Sequence, residues 1–171
     1  MSNNINCTIN LTDSRSVNLE LYADIAPISV ANFVEVAKNG FYEGLCFHRV
    51  ISGFMIQGGG MTCEKGNLIE KRGLKAIKGE FDSNGFKNPL KHTLGVISMA
   101  RTNIPDSATS QFFLCSANCD FLDGNYAAFG KTTDEQSNKV ILDISQVKTT
   151  SIGYHNDVPV EPIVIKSVVV N

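Results

Sequence analysis

FHRVISGFMIQGGG, residues 47–60, decides the architecture. Two short apolar segments, FHRVI and FMIQ, flank Ser52-Gly53, and apolar runs around such a turn signal predict a β-hairpin or a sharp bend. Side chains alternate across a strand, so Arg49 falls on the opposite face from His48, and Met55 shares a face with Gln57 on the return strand. Where the two faces coincide, a guanidinium, a thioether and a carboxamide look onto one patch, with Phe54 at its edge. Arginine is always charged and only donates hydrogen bonds, whereas glutamine donates and accepts. Beside apolar side chains, that pair suits a neutral, amide-like ligand. The alternative is an arginine whose stem packs on a core strand while its head reaches water. Gly58-Gly59-Gly60 then permits a tight turn or a close approach of the backbone.

Before this stretch, Ile5, Cys7, Ile9 and Leu11 alternate with polar residues, as do Val17, Leu19 and Leu21 after a turn at Asp13-Ser14. That is an antiparallel hairpin with one buried face. The period then changes. Asp24 caps a predicted helix with Pro27 in its first turn, Val30, Phe33, Val34 and Ala37 form its apolar stripe, and Gly40 ends it. After it, Met61 to Pro89 is rich in Gly, Lys, Asn and Glu and reads as a long loop with short ordered pieces. Leu94 to Ala100 and Gln111 to Ala117 read as buried strands joined by the polar loop RTNIPDSATS, and Ala127 to Lys131 as another short strand. Either Thr133 or Asp134 starts a second helix carrying Val140, Ile141 and Ile144, and the β-branched run Pro162 to Val170 closes a sheet.

A chain of 171 residues is long enough for one domain with a real core, and we expect residues 1–171 to form a single one. Its formal net charge of −2 provides no electrostatic footprint for nucleic acid or an anionic membrane. No apolar run approaches the roughly 20 residues a membrane helix needs. The first residues, MSNNINCTINL, lack the basic and apolar regions of a signal peptide, and five cysteines without framework spacing fit a reducing compartment. The expectation is a cytoplasmic protein.

Several chemistries lack their signatures. His48, His92 and His155 share no metal-ligand spacing, and no metal site is expected. Cys115 and Cys119 read as small buried hydrophobes rather than a redox pair. The three glycines open no phosphate-binding helix, and Ser110 has no nucleophile-elbow setting. The run Phe112, Phe113, Leu114 is by default core packing, though one of its rings can line a pocket.

FHRVISGFMIQGGG, LGVISMAR, SQFFLCSA and DFLDGNYAAFGK, in this order and spacing, resemble the cyclophilin family of peptidyl-prolyl isomerases. The similarity runs from the first strand to DVPVEPIVIKSVVV and is weakest between about Thr62 and Asn88. Phe121 and Tyr126 are most similar to the bacterial cytoplasmic branch. The resemblance implies a mainly β fold, a closed eight-stranded antiparallel barrel capped by two α-helices, with the active groove on its outside. It implies a rotamase that assists protein folding by turning X-Pro bonds in proline-containing polypeptides, without a cofactor, as a monomer.

By the same resemblance Arg49 is the catalytic residue, donating to the prolyl nitrogen as the amide twists. Phe54, Met55, Phe113 and Leu122 would form the proline pocket, while Gln57 and Gln111 steady the arginine and the substrate backbone. Ala100 and Arg101 would offer backbone groups to the residues before the proline, and Phe121 and Tyr126 would border the groove. Eukaryotic members carry tryptophan where Phe121 stands and histidine where Tyr126 stands, so the resemblance implies weak cyclosporin binding at most, with catalysis intact. Two other classes compete: a barrel that holds proline segments without turning them over, and a small-molecule carrier using the lumen. The intact Arg49 set argues against the first, and the richness in Val, Ile, Leu and Phe argues against the second.

Overall fold

A computed structural model describes residues 3–64 and 66–171. Met1 and Ser2, part of the stretch read as lacking a leader, and Lys65, within the predicted long loop, lie outside the described residues.

The chain opens with the expected hairpin, β1 (Asn4–Leu11) and β2 (Ser16–Tyr22), turning at Ser14 in the left-handed region with φ 76°. Helix α1 (Pro27–Lys38) follows and ends in a Schellman arrangement: Gly40, at φ 72°, donates its N–H to Ala37 O and Phe41 donates to Val36 O. Its start differs from the sequence expectation. Ala26 is the N-cap and makes no side-chain cap, while Asp24 accepts hydrogen bonds from Asn3 instead. The orphan N–H groups of the first turn are taken by Glu80, far along the chain.

The central stretch forms β3 (Arg49–Ile51) and β4 (Met55–Gly58), paired antiparallel across Ser52-Gly53. Within the predicted loop lie a small hairpin, β5 (Met61–Glu64) with β6 (Asn67–Glu70), and a 3-10 turn at Asp82–Asn84. The two buried strands are β7 (Val96–Met99) and β8 (Phe112–Cys115). A 3-10 turn, Asp120–Leu122, leads to β9 (Ala128–Thr132). Helix α2 (Glu135–Ser145) starts at Asp134, whose carboxylate accepts from Ser137 N at 2.7 Å, and buries Val140, Ile141 and Ile144 as its pattern predicts. The hairpin β10 (Thr149–Ile152) and β11 (His155–Pro159) has no counterpart in the sequence reading, and β12 (Ile165–Val170) ends the chain.

Eight strands form one antiparallel sheet in the order β12-β1-β2-β9-β7-β8-β4-β3. The sheet curls until the residue run before β3 meets the run entering β12. There Phe47 donates to Ile163 O at 3.0 Å, Gly44 to Ile165 O at 2.8 Å, and Ile165 to Leu45 O at 2.7 Å. The barrel is therefore closed at this seam by a bridge, Cys46 opposite Val164, rather than by a full ladder. Helix α1 packs on β12 and β2, and α2 on β2, β3, β4 and β9.

The strands nearest the centre are buried on both faces, which is why their sequences show unbroken apolar runs instead of alternation. Ile56, Ile97, Met99, Phe112, Leu114 and Phe129 point into the main core, where Phe33, Tyr42, Phe47 and Phe112 interlock at ring-centre distances of 5.2 to 6.0 Å. These rings fill the space that a lumen-binding carrier would keep hollow. The alternate residues Met55, Val96, Ala100, Phe113, Cys115 and Ala128 form a second cluster on the outer face, joined by Cys119 and Leu122. That outer cluster is the floor of the site.

Candidate active site

Arg49 stands directly opposite Gln57 across the β3–β4 ladder, and Gln57 stands opposite Phe113 across β4–β8. This register sets the polar line of the site. Gln57 Oε1 accepts from Arg49 Nη1 at 3.3 Å, and Gln57 Nε2 donates to Gln111 Oε1 at 3.0 Å. The arginine head is thus braced but exposed, and among the described residues no carboxylate pairs with it. Gly59 and Gly60 make this line possible. A Cβ on Gly60 would run into the Gln111 side chain, and Gly59 sits at φ 87° against the Phe112 ring.

Beside this line opens a cavity of about 480 Å³. Ten of the eleven expected site residues border it: Arg49, Phe54, Met55, Gln57, Ala100, Arg101, Gln111, Phe113, Leu122 and Tyr126. Phe121 does not. It is 65% exposed and leans on the outer side of Phe54, with ring centres 5.4 Å apart. Ala100 spends its N–H on Gln111 O at 3.0 Å, so its carbonyl is the backbone group left to offer a ligand. The Arg101 side chain, given no role of its own by the sequence, lies between two aromatic rings.

Phe113, an aromatic ring of the cavity floor, is held from two sides. His92 stacks on it at 5.9 Å with an interplanar angle of 18°, and Tyr126 meets it edge-on at 5.8 Å and 83°. His92 is buried, and burial is the main cause that lowers its pKa, against the opposing pull of Asp123. The neutral ring donates from Nδ1 to Asp123 Oδ1 at 2.9 Å and accepts at Nε2 from Ser98 Oγ at 2.9 Å. Dismissed as a metal ligand, His92 is a support for the pocket floor. Its signal in the sequence was too short-ranged to show this, because Asp123 and Phe113 come to it from other elements.

The sequence reading also missed one wall. Tyr154, His155, Asn156 and Asp157 border the cavity from the β10–β11 hairpin, joined by Met61 and His48. Ile152 pairs with His155, so Gly153-Tyr154 is a two-residue turn, and a Gly-X pair between polar alternating segments was the available signal. His48 precedes β3, so strand alternation does not apply to it, and it borders the same cavity as Arg49. Its ring packs edge-on against His155 at 6.3 Å, with Nδ1 buried and unpartnered, and its pKa falls to about 4, first through burial, then through His155 and Arg49.

Among the described residues no group of three or more His, Cys, Asp or Glu side chains gathers as a metal site. The geometry offers a braced cationic donor over a cleft floored by Met55 and Phe113: equipment for holding and polarising a neutral group.

Comparison with known proteins agrees in sequence and in fold. Residues 7–170 match the family model described as cyclophilin type peptidyl-prolyl cis-trans isomerase/CLD. The chain is 45% identical to a peptidyl-prolyl cis-trans isomerase of Acinetobacter baylyi over 162 residues, covering 92% of this chain and 81% of that one. It is 39% identical to peptidyl-prolyl cis-trans isomerase B of Escherichia coli over 168 residues, covering 94% and 96%. The crystal structure of a cyclophilin type peptidyl-prolyl cis-trans isomerase from Cryptosporidium parvum superposes with a TM-score of 0.78 at 26% identity, covering 98% of each chain. The same protein in the presence of the dipeptide Ala-Pro superposes with a TM-score of 0.76, at 26% identity and covering 97% and 98%.

Proposed function

The chain belongs to the cyclophilin-type family and is a peptidyl-prolyl cis-trans isomerase, and we propose that Arg49 is its catalytic residue in the cleft bordered by Phe54, Met55, Phe113 and Leu122. Rotation about an X-Pro bond meets a barrier of roughly 18–20 kcal/mol because it breaks amide conjugation. As the amide twists, the prolyl nitrogen recovers its lone pair and becomes a hydrogen-bond acceptor. A guanidinium N–H of Arg49 donates to it there and stabilises the twisted state more than either planar isomer. Gln57 holds the arginine in place at 3.3 Å, and Gln111, tied to Gln57, takes the substrate backbone. The prolyl ring rests on Phe113 between Met55 and Leu122. No bond is made or broken, so the step needs no nucleophile or cofactor.

The observation that carries this reading is the juxtaposition of the braced Arg49 with an apolar floor of two buried residues, Met55 and Phe113, in one cavity. We extend it to residues 1–171 acting as one monomeric domain in the cytoplasm, on proline-containing segments of unfolded or flexible polypeptides, in aid of their folding. The C. parvum protein studied with Ala-Pro supports a proline-bearing ligand. Cyclosporin binding is assigned as weak, because Phe121 offers no indole N–H.

A protease-coupled assay on a short Xaa-Pro peptide tests the reading. Arg49→Ala should fold normally and lose most activity, and Arg49→Lys should also be poor, since an ammonium does not reproduce the planar fork. Turnover by the alanine variant at the parental rate would overturn the mechanism.

A further inference from the structure

Arg101 leaves β7 and enters the polar loop, where an exposed, solvated side chain is the ordinary expectation. Instead its guanidinium carbon lies 4.7 Å from the Phe81 ring centre and 4.6 Å from the Tyr126 ring centre. Nη1 donates to Thr102 O at 2.9 Å and Nη2 to Asn125 O at 2.5 Å. Nε is buried without a partner, and among the described residues no carboxylate neutralises the charge. A partly exposed guanidinium with one N–H buried and unpaired and no counter-ion among the described residues is held by what remains: two ring faces and two carbonyls.

The two rings belong to different parts of the protein. Phe81 is fully buried in the main core, whereas Tyr126 packs against the outer cluster under the groove. Tyr126 in turn meets Phe113 edge-on at 5.8 Å. Arg101 thus couples a rigid core ring to a half-buried ring on the cavity wall.

We propose that Arg101 is a positioning residue for isomerisation: clamped between the Phe81 and Tyr126 rings, it holds Tyr126 against Phe113 and so sets the width of the proline end of the groove. This rests on the groove assignment above. It adds a side-chain role at a position the sequence reading credited with backbone contact alone. A wall that touches the prolyl ring equally in planar and twisted states contributes uniform binding, so its loss raises KM and spares kcat. Loss of Arg49 has the opposite signature.

The test measures kcat and KM for Arg101→Ala, Arg101→Lys, Tyr126→Ala and the Arg101→Ala/Tyr126→Ala pair, with Arg49→Ala alongside. Arg101→Ala should lower kcat/KM about five-fold, mainly through KM, and Arg101→Lys should resemble it, because lysine keeps the charge but not the plane. In the Tyr126→Ala background, Arg101→Ala should cost nothing further, since the two act through one contact. Additive losses, full activity of Arg101→Lys, or a fall confined to kcat would each overturn the proposal. Phe81→Leu, which removes the core-side ring of the clamp and lies outside the cavity lining, is measured in parallel. It should raise KM in the same direction even where Arg101→Ala does not fold, and an unchanged KM would overturn the proposal. An Arg49→Ala variant of normal activity would instead strike the groove assignment itself.

Discussion

Glu80 caps helix α1 from 51 residues away. One carboxylate oxygen accepts from Ser29 N at 2.6 Å and from Ser29 Oγ at 2.8 Å, and the other accepts from Ile28 N at 3.2 Å. Both Glu80 and Ser29 are fully buried. A carboxylate at the positive end of a helix, receiving otherwise orphaned N–H groups, is favoured by charge and by hydrogen bonding together. The same residue offers its carbonyl to Asn88, which also donates to Ala128 O, so the loop after β6 is tied to α1 and to β9 at once.

Glu80→Gln should therefore destabilise the fold by roughly 1–3 kcal/mol, and Glu80→Ala by more, because buried donors lose their acceptor. For a chain of this size each kcal/mol corresponds to about 2–4 °C in Tm. Thermal unfolding of the three proteins decides it. An unchanged Tm for Glu80→Ala would mean that water or another group satisfies the helix end.

Acid sensitivity should trace to His48. Its pKa falls from 6.5 to about 4 in the folded protein, first through burial, so the unfolded chain takes up a proton in this interval that the folded chain refuses. Stability is then unaffected above about pH 7 and is lost as pH falls from 6.5 towards 4, with a slope of at most about 1.4 kcal/mol per pH unit. His48→Phe removes the proton site and the unpartnered Nδ1, and should flatten most of that slope in denaturant titrations between pH 4 and 8. A smaller slope remains from His92, which is shifted in the same direction. An identical acid limb in the variant would assign the sensitivity elsewhere.

Phe121→Trp should tighten cyclosporin binding while leaving turnover of small peptides nearly unchanged. Phe121 sits outside the cavity lining, against Phe54, so an indole there gains a donor without altering the proline floor. One added hydrogen bond contributes on the order of 1 kcal/mol, about five-fold in Kd. Titration calorimetry with both proteins is the measurement, and equal affinities would show that another feature governs the inhibitor.

All five cysteines are free thiols, and Cys63 should be the one that alkylating reagents reach first. Cys7 and Cys46 are buried and pushed up to about 12, chiefly by burial, and Cys115 is pushed higher still. Cys119 is fully buried, with its Sγ donating to Phe54 O at 3.3 Å. Intact-mass analysis should show one fast site in the folded protein and five after denaturation without reductant. Cys115→Ser and Cys119→Ser should cost some stability and leave catalysis standing. A count below five, or activity abolished by Cys119→Ser, would make redox control the leading idea.

Much of this protein is written in short-range signals. The apolar runs at Val96–Met99 and Phe112–Cys115, the break at Ser52-Gly53 and the cap at Asp134 each depend on neighbours within a few residues, and each appears where its pattern places it. The family resemblance carried by the order of the motifs named eleven site residues, and ten of them border one cavity; alternation accounts only for the shared face of Arg49, Met55, Gln57 and Phe113 on the paired strands.

What the tertiary structure alone decided lies between elements distant in sequence. Asp24 looked like the cap of α1, but the curl of the sheet carries Glu80 to that helix end, and a buried carboxylate outcompetes an exposed one for the N–H groups. Likewise the closing seam at Cys46 and Val164, the β10–β11 wall beside Arg49, and the Phe81–Arg101–Tyr126 stack all depend on how far the eight strands bend before they meet. Strand patterns specify which face a residue takes. The curvature that decides which faces then touch is a collective property of the packed sheet, and no local stretch encodes it.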